Sequence, residues 1–275
     1  MYDIENYYNA STIEEAVRLL KEHPDTRVIS GGSDVLIKIR EGKMAGTSLV
    51  SIRDIKELNG ITKKENGDIY IGAGTTFSHI TNDPVIQENI PVLGEAVDQV
   101  GGPQIRNIGT IGGNICNGAV SADSAPTVFS LNALLRIEDG NNGRTVPVRD
   151  FYLGPGRVDL KRGEILTHVI IPAKEYQGYH GNYIKYSMRK AMDIATLSCS
   201  VVSKVNTEKN ILEDVRITFG VAAPVPFRCE KTEAALKGQE ISEKLYEMTE
   251  QSIRQEINPR DSWRASREFR RSEEH

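Results

Sequence analysis

Two double-glycine segments constrain this chain more than any other feature: Ser30-Gly31-Gly32-Ser33-Asp34 and Thr110-Ile111-Gly112-Gly113-Asn114. Each follows an apolar run that reads as a strand, Arg27-Val28-Ile29 before the first and Ile105 to Ile111 around the second. Glycine turns the backbone at positive φ without steric cost, and its missing Cβ lets another group approach the main chain closely. Successive N–H groups in such a turn form a concavity suited to an anion. Two of them can hold the two phosphates of one pyrophosphate, which points to a dinucleotide. The hydroxyls of Ser30, Ser33 and Thr110 and the amide of Asn114 add donors. A neutral cradle of this kind needs no buried lysine, because main-chain N–H groups supply the positive potential.

At 275 residues, 39% hydrophobic and 26% charged, the chain can bury one large core or two modest ones. A net charge of −4 argues against a dedicated binder of nucleic acid or membrane surface, which would present a basic face. No apolar stretch approaches the ~18–20 residues of a membrane span. The start, Met1-Tyr2-Asp3-Ile4-Glu5, lacks the apolar region of a secretory signal, so a cytoplasmic location is expected. Cys116, Cys199 and Cys229 are far apart and show no iron–sulfur or zinc spacing. Any metal cluster working with this protein is then expected on another chain. His23, His79, His168, His180 and His275 likewise show no ligand spacing. No metal ligand and no catalytic side chain is assigned.

Ser11-Thr12-Ile13-Glu14 reads as a capping box before an amphipathic helix over 12–21. Strands are expected at 27–30 and 49–52, with a short helix at Val35 to Ile39 between them. A hairpin over 61–71 turns at Asn66-Gly67, read as type I′. Helices are expected at 75–82, 91–100 and 122–131, a second hairpin at 134–148, and a strand at 164–171. A boundary falls in the polar stretch Lys174 to Gly181. Beyond it, 183–189, 195–205 and 215–223 read as a three-stranded meander, followed by helices at 230–236, 242–255 and 263–269.

The chain has no G-x-G-x-x-G, no P-loop and no G-x-S-x-G elbow. Asp123, in Ser121-Ala122-Asp123-Ser124, suits a helix N-cap, and equally an acceptor for polyol or ribose hydroxyls. Lys185, Ser187 and Arg189 share one face of a predicted strand, either as a charged solvated edge or as cations near a redox-active ring. Trp263, Ser266, Phe269 and Arg270 fall near one face of the last predicted helix, whose arginines suit a partner chain or solvent.

Together these segments resemble a known family. SGGSDVLI (30–37), PQIRNIGTIGGNICNG (103–118) and SADSAP (121–126) are similar to the FAD-binding subunit of molybdenum hydroxylases. KYSMRKAMDIA (185–195), FGVAAPVPFR (219–228) and SWRASREFR (262–270) resemble the bacterial xanthine dehydrogenase branch. The resemblance runs in register from residue 1 to about 270. One departure is that the family usually continues its final helix, whereas this sequence ends Arg271-Ser272-Glu273-Glu274-His275.

The resemblance implies an α+β fold. Residues 1–175 would form a two-subdomain FAD-binding domain of the PCMH/VAO type, with subdomains 1–55 and 56–175. Residues 176–275 would form a three-stranded sheet plus helices, like the C-terminal domain of CO dehydrogenase flavoproteins. It further implies non-covalent FAD, with Ser30, Gly31, Gly32, Ser33, Asp34, Thr110, Ile111, Gly112, Gly113 and Asn114 at the pyrophosphate. Asp123 would meet ribityl hydroxyls, Leu166 would pack on the flavin, and Lys185 would approach the isoalloxazine. The implied partners are a molybdopterin-binding large subunit and a small subunit with 2Fe–2S clusters. Electrons would pass from them to FAD and on to NAD⁺. The substrate of the whole enzyme would be a purine, or alternatively an aldehyde, nicotinate, an aromatic thioester or carbon monoxide. A flavin-binding interaction module without turnover is the remaining alternative.

Overall fold

The computed structural model describes residues 2–272; His275 and the last acidic residues lie outside them. The chain begins with β1 (Ile4–Asn9), α1 (Ile13–Glu22), β2 (Thr26–Ile29), α2 (Val35–Arg40) and β3 (Thr47–Ser51). The strands form a parallel sheet in the order β1-β3-β2. β3 is central because its apolar run is buried on both faces, with Leu49 and Val50 fully enclosed. α1 covers this sheet with Ala16, Val17, Leu19 and Leu20. Its capping box sits one residue later than the Ser11/Glu14 reading. Thr12 accepts from the Glu15 N–H at 3.1 Å, and Glu15 accepts from the Ser11 N–H at 2.8 Å. β1 escapes sequence reading because its side chains are mostly exposed and leave no apolar alternation.

The middle of the chain holds β4 (Ile61–Lys63), β5 (Ile69–Gly72), α3 (Phe77–Asn82), α4 (Pro84–Asn89), α5 (Pro91–Asp98), α6 (Pro103–Arg106), α7 (Ile111–Cys116) and α8 (Ser124–Ser130). It continues with β6 (Leu134–Glu138), β7 (Arg144–Pro147), α9 (Val148–Phe151), β8 (Tyr152–Gly154), β9 (Arg157–Val158) and β10 (Ile165–Ile171). An antiparallel sheet runs β4-β5-β10-β6-β7. The turn at Asn66-Gly67 is not type I′, since only Gly67 has positive φ. Its N–H bonds the Lys64 carbonyl, and the Lys64 N–H bonds the Asp68 carbonyl. This is a three-residue connection with glycine in the left-handed position.

The run Ile105 to Ile111 is not a strand. Pro103 occupies the first helical position, where its missing N–H costs nothing, and starts α6. Only Thr110 keeps a bridge, to Thr76. Gly112 and Gly113 then lie inside α7, and neither has positive φ.

The last part forms β11 (His180–Tyr186), β12 (Leu197–Asn206), β13 (Ile211–Gly220), β14 (Phe227–Arg228), α10 (Glu230–Leu236), α11 (Glu243–Glu256) and α12 (Arg267–Ser272). The sheet has four strands rather than three, because β14 adds a short rung on β13. β11 ends at Tyr186, so Lys185, Ser187 and Arg189 share no strand face. Asp193 stops the strand by accepting the N–H groups of Arg189 and Ile194 in the loop that follows. α8 packs on β12 and β13 through hydroxyls: Ser130 Oγ donates to Thr218 Oγ1 at 2.9 Å. Arg216 joins the two halves by donating to the Ser130 and Glu175 carbonyls.

The last helix starts later than its sequence pattern predicts, and Trp263 stands in a turn, 80% exposed. Arg270 faces the opposite way and is 2% exposed. It donates to the Thr196 carbonyl at 3.0 Å, to Ser262 Oγ at 2.7 Å and to the Arg260 carbonyl. Arg270→Met therefore removes three charge-assisted bonds and is expected to cost about 3 kcal/mol. Urea unfolding measures this, and an unchanged midpoint would show that the terminal segment is not held there.

Candidate functional site

A cavity of about 750 Å³ lies between the β2–α2 loop, the start of α7 and the segment 160–166 that enters β10. That volume is in the range of cofactor and small-molecule sites. Ser30, Gly31, Gly32, Ser33, Asp34, Thr110, Gly112, Gly113, Asn114 and Leu166 all line it. Segments remote in sequence thus converge on one space. Ile111 does not line it; its side chain is buried in the core. Asp123 and Lys185 do not line it either.

The two glycine segments do different work. In the first, the N–H groups of Gly31, Gly32, Ser33 and Asp34 have no hydrogen-bond partner among the described residues. Gly32 takes positive φ, +74°, which turns the chain out of β2. In the second segment the four amides from Ile111 to Asn114 are already engaged. Ile111 N–H donates to Thr75 O, Gly112 N–H to Ala73 O, Gly113 N–H to Thr110 Oγ1 and Asn114 N–H to Thr110 O. The expected pair of matching bare-amide turns is therefore one such turn, facing a capped helix start. The second segment offers the Asn114 side-chain amide, oriented by Ser124 Oγ at 2.7 Å, and the Thr110 hydroxyl.

The glycines also differ in what excludes a side chain. A Cβ on Gly31 would lie 1.8 Å from the Ile108 carbonyl oxygen, so this residue lets the two loops touch. A Cβ on Gly112 would strike Ala73 at 2.5 Å. At Gly113 the nearest atom is Thr110 Oγ1 at 3.0 Å. Gly31→Ala is accordingly expected to destabilise the protein by about 3 kcal/mol through overpacking against backbone. Gly113→Ala should stay within about 1 kcal/mol of the native protein, since alanine also favours helix. Comparable urea midpoints for the two variants would contradict this division.

Leu166 reaches the cavity from β10, where the register with β6 slips between Leu166 and His168. Such an irregularity re-aims a side chain. The segment before it is fixed by Arg144, which bonds Glu164 at 2.9 Å and Asp159 at 2.6 Å. Sequence reasoning missed the cationic part of the lining: Arg27, Lys38, Lys161 and Arg162. Arg27 stands on β2 and Lys38 one turn into α2, positions that local patterning would have placed beside the first loop. Cys116 also lines the cavity, and burial pushes its thiol up to about 12.

Asp123 sits at the N-cap of α8 but makes no capping bond. Its carboxylate instead accepts from Tyr183 Oη at 2.9 Å and from Lys185 Nζ at 2.8 Å. Burial pushes the carboxyl up, opposed by the Lys185 ammonium and the Tyr183 hydroxyl. Lys185 also donates to the carbonyls of Gln99 and Asp193, so all three of its donors are committed. Asp123→Ala leaves that ammonium buried and is expected to cost about 3–5 kcal/mol in urea unfolding, with Asp123→Asn milder. Equal stability of Asp123→Ala and the native protein would show the pair is not structural.

Residues 2–174 match the model of the FAD binding domain in molybdopterin dehydrogenase, and residues 182–273 the CO dehydrogenase flavoprotein C-terminal domain. The chain therefore belongs to the FAD-binding subunits of the molybdenum hydroxylases, a family of oxidoreductase subunits. It is 38% identical over 270 residues to the xanthine dehydrogenase FAD-binding subunit of Escherichia coli O157:H7, covering 98% of this chain and 92% of that one. It is 32% identical to the nicotinate dehydrogenase FAD-subunit of Eubacterium barkeri, covering 90% of this chain and 84% of the relative. The structure of carbon monoxide dehydrogenase from Hydrogenophaga pseudoflava superposes with a TM-score of 0.93 at 28% identity, over 99% of this chain and 94% of that one. The α+β architecture expected from the sequence stands. Among the described residues no cluster of side chains suits a metal ion, and no helix is long and apolar enough to cross a membrane.

Proposed function

We propose that this chain is the flavin-binding electron-transfer subunit of a xanthine dehydrogenase-like enzyme of the cytoplasm. In this reading residues 1–175 form the flavin domain and residues 176–275 the C-terminal domain. Its partners are a molybdopterin-binding large subunit and a small subunit carrying 2Fe–2S clusters. The observation that carries the reading is the row of unpaired amides at Gly31 to Asp34 on the wall of the 750 Å³ cavity. These amides stand on a half-exposed wall with no acceptor among the described residues, and an anionic group of a ligand suits them. The relative at 38% identity supports a purine as substrate of the assembled enzyme.

The residues divide the cofactor's needs between them. Gly31 to Asp34 bind one anionic group of the diphosphate, and Thr110 and Asn114 offer a hydroxyl and an amide from the facing wall. Leu166 supplies an apolar surface and keeps water from that side. Cys116 is the cysteine on the wall, and its thiol stays protonated, which fits a cofactor held without a covalent bond. When bound, FAD supplies the redox chemistry, accepting electrons from the iron–sulfur subunit and passing them to NAD⁺. The polypeptide's share is binding geometry and electrostatics. Asp123 and Lys185, held to each other at 2.8 Å outside the lining of this cavity, are in this reading the residues that would meet the cofactor beyond its diphosphate.

The purified native protein is expected to be yellow, to release all its flavin as FAD on acid precipitation, and to be bleached by NADH without oxygen. Assembled with its large and small subunits it should reduce NAD⁺ with xanthine. A colourless protein that takes up no FAD overturns the reading. Flavin that dithionite reduces but NADH does not would remove NAD⁺ as the acceptor.

A further inference from the structure

Lys38 is an ammonium without a counter-ion. Its Nζ donates to Asn117 Oδ1 at 2.8 Å, a neutral acceptor 79 residues away on the facing wall. It makes no other hydrogen bond and no ion pair among the described residues, although it is half-buried and lines the cavity. An ammonium has three donors, so two remain for another group. The Lys38 N–H bonds the Asp34 carbonyl at 3.0 Å, which fixes the residue one helical turn beyond the unpaired amides. Asp34 itself brings a carboxylate to the same wall, a like charge for any phosphate bound there.

We infer that Lys38, held by Asn117, is a binding residue for the diphosphate of the dinucleotide and supplies the positive charge that the amide row lacks. The inference rests on the flavin reading above and deepens it. Amides alone bind phosphate as neutral dipoles. A cation one turn away converts the site into a charge-assisted one and offsets Asp34. The cradle is then a mixed one: backbone donors from the first loop and, among the cations of the lining, an ammonium steered by the side chain at Asn117.

The test strips flavin from the full-length protein and titrates native, Lys38→Met and Lys38→Arg with FAD, ADP and riboflavin. The readouts are flavin fluorescence and calorimetry. Lys38→Met should weaken FAD and ADP by about tenfold or more and flatten their salt dependence. Riboflavin, which has no phosphate, should bind the two proteins alike. Lys38→Arg should recover most of the lost affinity, showing that charge and not packing is at stake. Lys38→Met binding FAD as tightly as the native protein overturns the inference. So does an equal loss for riboflavin, which would mean a collapsed cavity. Native protein that binds ADP but no FAD defeats the flavin reading alone, and the ADP series then decides Lys38; native protein that binds neither defeats both.

Discussion

The site depends on a contact between two main-chain segments rather than on any reactive side chain. The β2–α2 loop passes so close to the Ile108 carbonyl that only a residue without Cβ fits at Gly31. This contact ties the loop that leaves the parallel sheet to the segment between α6 and α7. The cavity is the space left beside it. Its lining comes from the β2–α2 loop, the start of α7 and the segment entering β10, so no one of these stretches completes it.

Much of the frame was legible in the sequence, and the reasons are local. Apolar runs gave β3, β5 and β10, and α10 lies where its helical spacing placed it. Glycine pairs marked the two cavity loops. What failed was the inference from residue type to conformation. Gly112 and Gly113 looked like a turn after a strand, but Pro103 starts a helix and Thr110 caps the next one, so their amides are spent inside the protein. β1 left no apolar alternation to read.

The site was legible as a set of loops and not as a set of charges. Asp123 and Lys185 were read one by one, and the structure shows that across 62 residues they pair with each other. Nothing in either local sequence announces that pairing. Lys38 went unnoticed for the opposite reason: on a short amphipathic helix a lysine reads as solvated, and only the fold shows Asn117 reaching across to it. Long-range polar partners are invisible to periodicity, which reports burial of one element's own face.

The same burial gives the cavity wall a chemical character. A thiol pushed up to about 12 keeps its proton, and its weak nucleophilicity, in neutral water. In the core near it the Tyr152 hydroxyl is likewise raised by burial and has no hydrogen-bond partner among the described residues. Where Cys116 meets the cavity, the wall therefore offers a thiol rather than a thiolate to whatever enters.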